Sequence, residues 1–299
     1  MSPQVRRGRS HSSPRPLGGS SGLLDVAGWS VHVPGLSAAD LPGSPDSPAC
    51  LPEDAKEVLG RKGLLGKEPS TRLALCAVHR ALGLPPGPLA ESLPYAAGTA
   101  VVVASNLGNV ETVCSVLSDV RERGGSVVSP LDAPNASSNV IASTLAIRYG
   151  FTGPNLAVCS GATAGLDALS LARRLILAGR APRAVVVGVE PADPVAARLA
   201  ALRTDAPAPL AAGAGCLLVG EPGAWPHSTG LRLGAVRRTT GPVDRPHPEP
   251  GDFYGAAGVI RTAVAAARGE ARTIGCGGAE DGWAAVDLTV VGEPTGVPA

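Results

Sequence analysis

The chain has 299 residues, 44% of them hydrophobic, which is enough to bury a sizeable core as one large domain or two small ones. A formal net charge of +1 removes any general electrostatic case for nucleic acid or a membrane surface as a partner. The six cysteines (Cys50, Cys76, Cys114, Cys159, Cys216 and Cys276) are scattered without a CxxC pair, so their spacing suggests no metal centre and their default role is that of small buried hydrophobes.

Residues 1–21, "MSPQVRRGRSHSSPRPLGGSS", predict a disordered basic tail carrying Arg6, Arg7, Arg9 and Arg15. No apolar signal core leads the chain, and its apolar runs are broken well short of a membrane span, so a reduced, cytoplasmic protein without a membrane partner is expected. Order is expected from Leu23, where "LLDVAGWSVHVPG" alternates as a strand does. Residues 37–68 are Pro-rich and irregular. "STRLALCAVHRALG" has helical spacing, with Ser70 or Thr71 as N-cap. "GTAVVVAS" is a β-rich run of the kind buried on both faces. "NVETVCSVLSDVRERGG" predicts an amphipathic helix stopped by Gly124 and Gly125. "NASSNVIASTLAIRYG" predicts a second helix, capped by Asn135 or Ser137 and closed by Gly150.

A strand at 155–159, a sharp turn and a helix at 163–178 follow. A turn of this build presents whatever sits on it at a helix N-terminus. "AVVVGVE" is another buried strand, "GAGCLLVGE" and "LRLGAVRRT" are expected to pair, "GAAGVIRTAVAAARG" is a helix and "WAAVDLTVVGE" a last strand. The alternation predicts an α/β protein with a mostly parallel sheet. No GxGxxG stands in a strand-to-helix context and no P-loop is present, so no cofactor is expected.

Six of these segments, in order, resemble the β-ketoacyl synthase group of the thiolase fold. They are "DVAGWSVHVPG", "VVVASNLGN", "PNASSNVIASTLAIRYGFTGPNLAV", "ATAGLDALSLARRLILAGRAPRAVVVGVEP", "GDFYGAAGVIRTAVAA" and "GCGGAEDGWAAVDLTVV". The resemblance runs from about Leu23 to Val291. It implies a thiolase-like α-β-α-β-α layering in two pseudo-repeated halves, about 22–205 and 206–299 within one domain of residues 22–299, the C-terminal half shortened.

The resemblance also marks departures. The family's nucleophilic cysteine falls on Ala162, and a methyl group cannot attack a thioester. The histidine of its GHxxGAAG segment falls on Asp252, where a carboxylate would repel a thiolate or enolate. Its HGTGT-type histidine motif is absent from the sequence. His227, in "WPHSTG", precedes the strand that such a motif should follow. The run "AGLDAL…ARR" after the altered position resembles chain-length factors, the catalytically dead partners of ketosynthases in type II polyketide synthases. Aromatic-polyketide factors carry Gln at the altered position, so Ala162 points instead to a divergent class such as that of polyene-forming systems.

What this implies is a subunit that is not an enzyme on its own and that heterodimerises with a catalytic ketosynthase, meeting acyl carrier protein through the complex. The residues implied at the interface are Asn135, Ala136, Asn139 and Val140, with Thr152, Asn155, Leu156, Ala157 and Val158. The candidates for gating the acyl tunnel are Val110, Glu111, Val113, Cys114 and Leu117. Two alternatives stand beside this: a condensing or acyl-transfer enzyme using Cys159, and a carrier-protein-binding scaffold.

Overall fold

The computed structural model describes residues 22–36, 49–130, 133–243 and 251–291; the expected basic tail lies outside them. The strands are β1 (Leu24–His32), β2 (Ala100–Ala104), β3 (Asn155–Val158), β4 (Arg183–Glu190), β5 (Gly213–Gly220), β6 (Leu231–Leu233), β7 (Arg237–Thr239), β8 (Arg272–Gly278) and β9 (Gly282–Val290). The helices are α1 (Lys56–Leu59), α2 (Pro69–Ala81), α3 (Val110–Arg123), α4 (Val140–Tyr149), α5 (Ala164–Leu177), α6 (Pro194–Ala200) and α7 (Ala257–Ala267).

One curled sheet runs in the order β3-β2-β4-β5-β1-β6-β9-β7, with β8 also on β9. Its central strands are apolar on both faces and divide their side chains between two cores. Val102 of β2, Val186 of β4 and Leu217 of β5 face α5 and α7. Val101, Val185 and Leu218 face α2 and α4. Ile274, Val286 and Leu288 from β8 and β9 close over the first core, so α5 and α7 lie between two sheet faces. This mixed α/β architecture is that of the thiolase-like ketosynthase fold. The outer side of β9 is polar: Asp287 accepts from Thr273 Oγ1 at 2.6 Å and from Arg237 at 2.8 Å. Among the described residues no helix covers that side.

The sheet differs from the expected one in direction. Among the described residues the strand pairs β2–β3 and β2–β4 are parallel and the other strand pairs are antiparallel. The tight turn between β8 and β9 leaves no room for the crossover a parallel pair requires, whereas the link from β4 to β5 is long enough to hold α6 and still brings β5 back antiparallel. β5 and β6 do not pair with each other, because β1 lies between them and bonds to both.

Two caps also differ. Pro69 opens α2, its fixed φ suiting the first helical position, and Ser70 is buried with its hydroxyl donating to the Gly108 carbonyl. Residues 133–136 form a separate 3-10 turn, so α4 starts only after Asn139, beyond both predicted caps. Gly150 ends α4 in the left-handed conformation, as expected.

Candidate functional site

The parallel strands β2, β3 and β4 end on one side, and the turns after them meet the N-termini of α5 and α7. Between β3 and α5 the chain makes a 3-10 turn, Gly161–Thr163. Gly161 sits at φ +70°, and a side chain there would run into the carboxylate of Asp281. Ala162 follows, its methyl buried. The first turn of α5 is fastened by Asp167, whose carboxylate accepts from Ser160 Oγ at 2.7 Å and Thr163 Oγ1 at 2.8 Å.

The tip of this helix is already bonded. Ala162 N–H donates to Asp281 Oδ2 at 2.7 Å. Asp281 belongs to the turn between β8 and β9, so that hairpin turn supplies the anion that caps this helix end. A helix end that could have stabilised a negative charge on a bound molecule instead holds one of the chain's own.

Below the turn, Asn106 clamps Gly161 from both sides: its Nδ2 donates to the Gly161 carbonyl at 2.9 Å and its Oδ1 accepts from Gly161 N–H at 3.2 Å. Glu190, at the end of β4, is fully buried. It accepts from Asn106 N–H at 2.8 Å, Leu107 N–H at 3.0 Å and Ser105 Oγ at 3.3 Å. Burial pushes its carboxyl up to about 7, against the pull of these donors. A Cβ on Gly255 would strike both Asn106 and Glu190, so the α7 entry packs directly on this pair.

Asp252 stands just before that entry. It is buried, accepts from Arg203 at 2.6 Å and caps Tyr254 N–H at 2.8 Å. Arg203 also bonds Asp205 at 3.3 Å and lies 3.9 Å above the Tyr254 ring. Tyr254 has φ +39°, and this bond and stack hold it in a conformation rare for a residue with a side chain. The carboxylate of Asp252 is therefore spent on its own neighbourhood.

Cys159 is exposed rather than buried. Its Sγ donates to the Ser105 carbonyl at 2.9 Å, and partial burial with nearby Glu190 moves its pKa above the ordinary thiol value. These are the opposite of the conditions that make a reactive thiolate. His227 is exposed on the far side of β6 in sequence, outside this cluster.

Of the implied interface residues, Asn135 and Val140 are buried within this chain, Asn135 donating to the Gly66 carbonyl at 2.7 Å. Ala136 and Asn139 are half-buried and Thr152 is exposed. Asn139 Nδ2 donates to Asn155 Oδ1 at 2.7 Å, which ties α4 to β3. Asn155, Leu156, Ala157 and Val158 form β3, half-buried along its length and paired only with β2, so it is an open edge of the sheet among the described residues. On α3 no residue is buried. Glu111, Cys114 and Leu117 are exposed, Val113 is half-buried, and Val110 packs towards Leu107 and α6.

Sequence reasoning missed Asp281, Glu190, Asn106 and Arg203. Each is a polar residue in a turn or at a strand end, and only the fold brings them together.

Residues 63–204 match the model of the β-ketoacyl synthase N-terminal domain. The matched segment runs from the loop before α2 past α6 and includes β2, β3, β4 and the Ala162 turn. The chain is 34% identical over 98 residues to a 3-oxoacyl-[acyl-carrier-protein] synthase 2 of Vibrio harveyi, covering 33% of this chain and 24% of the relative. It is 31% identical over 189 residues to a putative polyketide β-ketoacyl synthase 2 of Streptomyces virginiae, covering 62% of this chain and 42% of the relative. The matches thus span from 24% to 42% of the length of these relatives. Among solved structures, the ishigamide ketosynthase/chain length factor has the same fold, with TM-score 0.68 and 21% identity over 90% of this chain and 99% of that one.

Proposed function

We propose that the chain is a non-catalytic ketosynthase-like subunit, a chain-length factor, that pairs with a catalytic β-ketoacyl synthase and shapes the acyl tunnel of a type II polyketide system, with polyene-forming systems the class in view. The observation that carries this reading is the Ala162 N–H bonded to Asp281, beside a methyl group where a condensing enzyme of this fold needs a thiol. Asp252, locked to Arg203, supports it from the other wall. Neither position can take, hold or activate an acyl thioester.

The surface supports a partner. The open edge of β3 and the helix α3 with no buried residue are the elements a second, ketosynthase-folded chain would cover, and pairing across a two-fold would continue the sheet through β3. Acyl carrier protein would then dock on the complex and deliver its chain to the partner's cysteine. Val113, Cys114 and Leu117 are on the face of α3 available to limit that chain. Nothing in this role calls for a cofactor.

The test is co-expression with the catalytic ketosynthase of the same gene cluster, then light scattering and a condensation assay. A stable one-to-one heterodimer that condenses malonyl and acyl carrier-protein thioesters, with no turnover by this chain alone, is expected. Condensation by this chain alone, abolished by Cys159→Ala, would overturn the reading in favour of an enzyme.

A further inference from the structure

Far from the Ala162 turn, on the α2 side of the sheet, three soft donors from three separate elements converge. His32 ends β1, Cys76 lies in the middle of α2, and Cys50 precedes the 3-10 turn Pro52–Asp54. Their ligating atoms all lie within 4.8 Å of one another. His32 and Cys76 are fully buried and Cys50 is half-buried. His32 Nε2 is 3.6 Å from Cys50 Sγ and 3.2 Å from the Cys50 carbonyl oxygen. The other ring nitrogen of His32, Nδ1, is buried with no hydrogen-bond partner.

We propose that His32, Cys50 and Cys76 form a binding site for one zinc ion, a Cys2His set that clips the Cys50 segment to β1 and α2. The donor chemistry suits this ion, since two thiolates and an imidazole are the ligands zinc prefers over oxygen-seeking cations. The spacing suits it too. Tetrahedral zinc with sulfur at about 2.3 Å and nitrogen at about 2.0 Å puts those two donors about 3.5 Å apart, beside the 3.6 Å found here. On binding, each cysteine gives its S–H proton to solvent and the ion is held as a neutral dithiolate–imidazole centre. Half-exposed Cys50 leaves the fourth position to a water or to its own carbonyl oxygen. A disulfide between Cys50 and Cys76 would use the same two sulfurs but would need an oxidant such as a peroxide, and it gives His32 no role.

The site is independent of the reading of the Ala162 turn, and so is its test. The full chain is purified with reductant and dialysed against zinc, and bound metal is measured by inductively coupled plasma mass spectrometry. One zinc per chain is expected, lost in Cys50→Ser and in His32→Gln but kept in Cys114→Ser, whose thiol is exposed elsewhere. Cobalt substitution of the unmodified chain, which needs no variant to fold, is expected to show the sulfur-to-cobalt charge-transfer band of a thiolate site. The melting temperature should fall by several degrees when a chelator removes the metal, and should not respond to chelator in Cys50→Ser. Zinc retained in Cys50→Ser, no thiolate–cobalt band in the unmodified chain, or a chain lighter by two hydrogens through a Cys50–Cys76 disulfide would each overturn the proposal.

Discussion

Asp281 Oδ2 accepts the backbone N–H of Ala162 at 2.7 Å, so the N-terminal tip of α5 is neutralised by a carboxylate that lies 119 residues further along the chain. Under the proposed reading, a thiol placed at this position is therefore not expected to give chemistry. In Ala162→Cys the new sulfur would share its helix end with a fixed negative charge, which disfavours the thiolate. No condensation is expected from that variant, in the presence or absence of partner. Ala162→Cys combined with Asp281→Asn should be alkylated by iodoacetamide about tenfold faster at neutral pH than Ala162→Cys alone, which is one pKa unit of relief. Equal rates would show that the carboxylate does not govern the helix tip.

Glu190 gives the fold a pH dependence of known sign. Its folded value of about 7 lies above the ordinary 4.5, so between these pH values the folded chain holds a proton that the unfolded chain has lost. Stability from this group is complete below about pH 4.5 and declines as pH rises through about 7, by about 3 kcal/mol in all. Urea titrations at several pH values should show this slope in the unmodified chain and a flatter one in Glu190→Gln.

Most of the framework was readable in the sequence because hydrophobic period carries it. The run "AVVVA" could only be a strand buried on both faces, and Gly124 and Gly150 mark helix ends through backbone freedom alone. What escaped was strand direction and partnership. The 9 residues of β1 alternate equally well whether β5 or β6 lies beside them, and the structure uses both. β8, "RTIGCGG", was hidden by its glycines, which weaken any local strand signal. At the site, Ala162 and Asp252 were singled out because the resemblance aligns each with a position of known chemistry in a recognisable motif. Asp281 and Arg203 were not, since their effect depends on pairings 119 and 49 residues away.

Helix α3 separates interface from stability. Leu117 is 62% exposed, so Leu117→Asp in the isolated chain should change unfolding free energy by no more than about 0.5 kcal/mol. If the partner covers α3, the same change should sharply weaken the heterodimer, because a charge would be buried without a counterion. Val113→Phe tests the tunnel separately: a larger side chain on a half-buried position should shorten the product with the heterodimer intact. Product mass and light scattering on the same preparations distinguish these effects, and unchanged product length would favour a scaffold role.

The Arg203–Asp252 pair decides whether the α7 entry is a degraded catalytic wall or a structural lock. Their side chains are 10% and 9% exposed, at a separation of 2.6 Å. Removing one partner from such a pair leaves an unneutralised buried charge, so Arg203→Ala should cost about 3–5 kcal/mol. It should also release Tyr254 from its left-handed conformation, since the guanidinium stack and the Asp252 cap act together. Arg203→Met with Asp252→Asn removes both charges and should cost clearly less than the sum of the single changes, the excess measuring their coupling. Asp252→His, which introduces the residue type the resemblance aligns with this position, should produce no condensation and should destabilise the fold, because an imidazole beside Arg203 accepts poorly and brings no compensating charge. Denaturant titration of these variants and of the single changes Arg203→Met and Asp252→Asn checks the energies. A gain of condensing activity in Asp252→His would mean that the lock had been holding a catalytic wall closed.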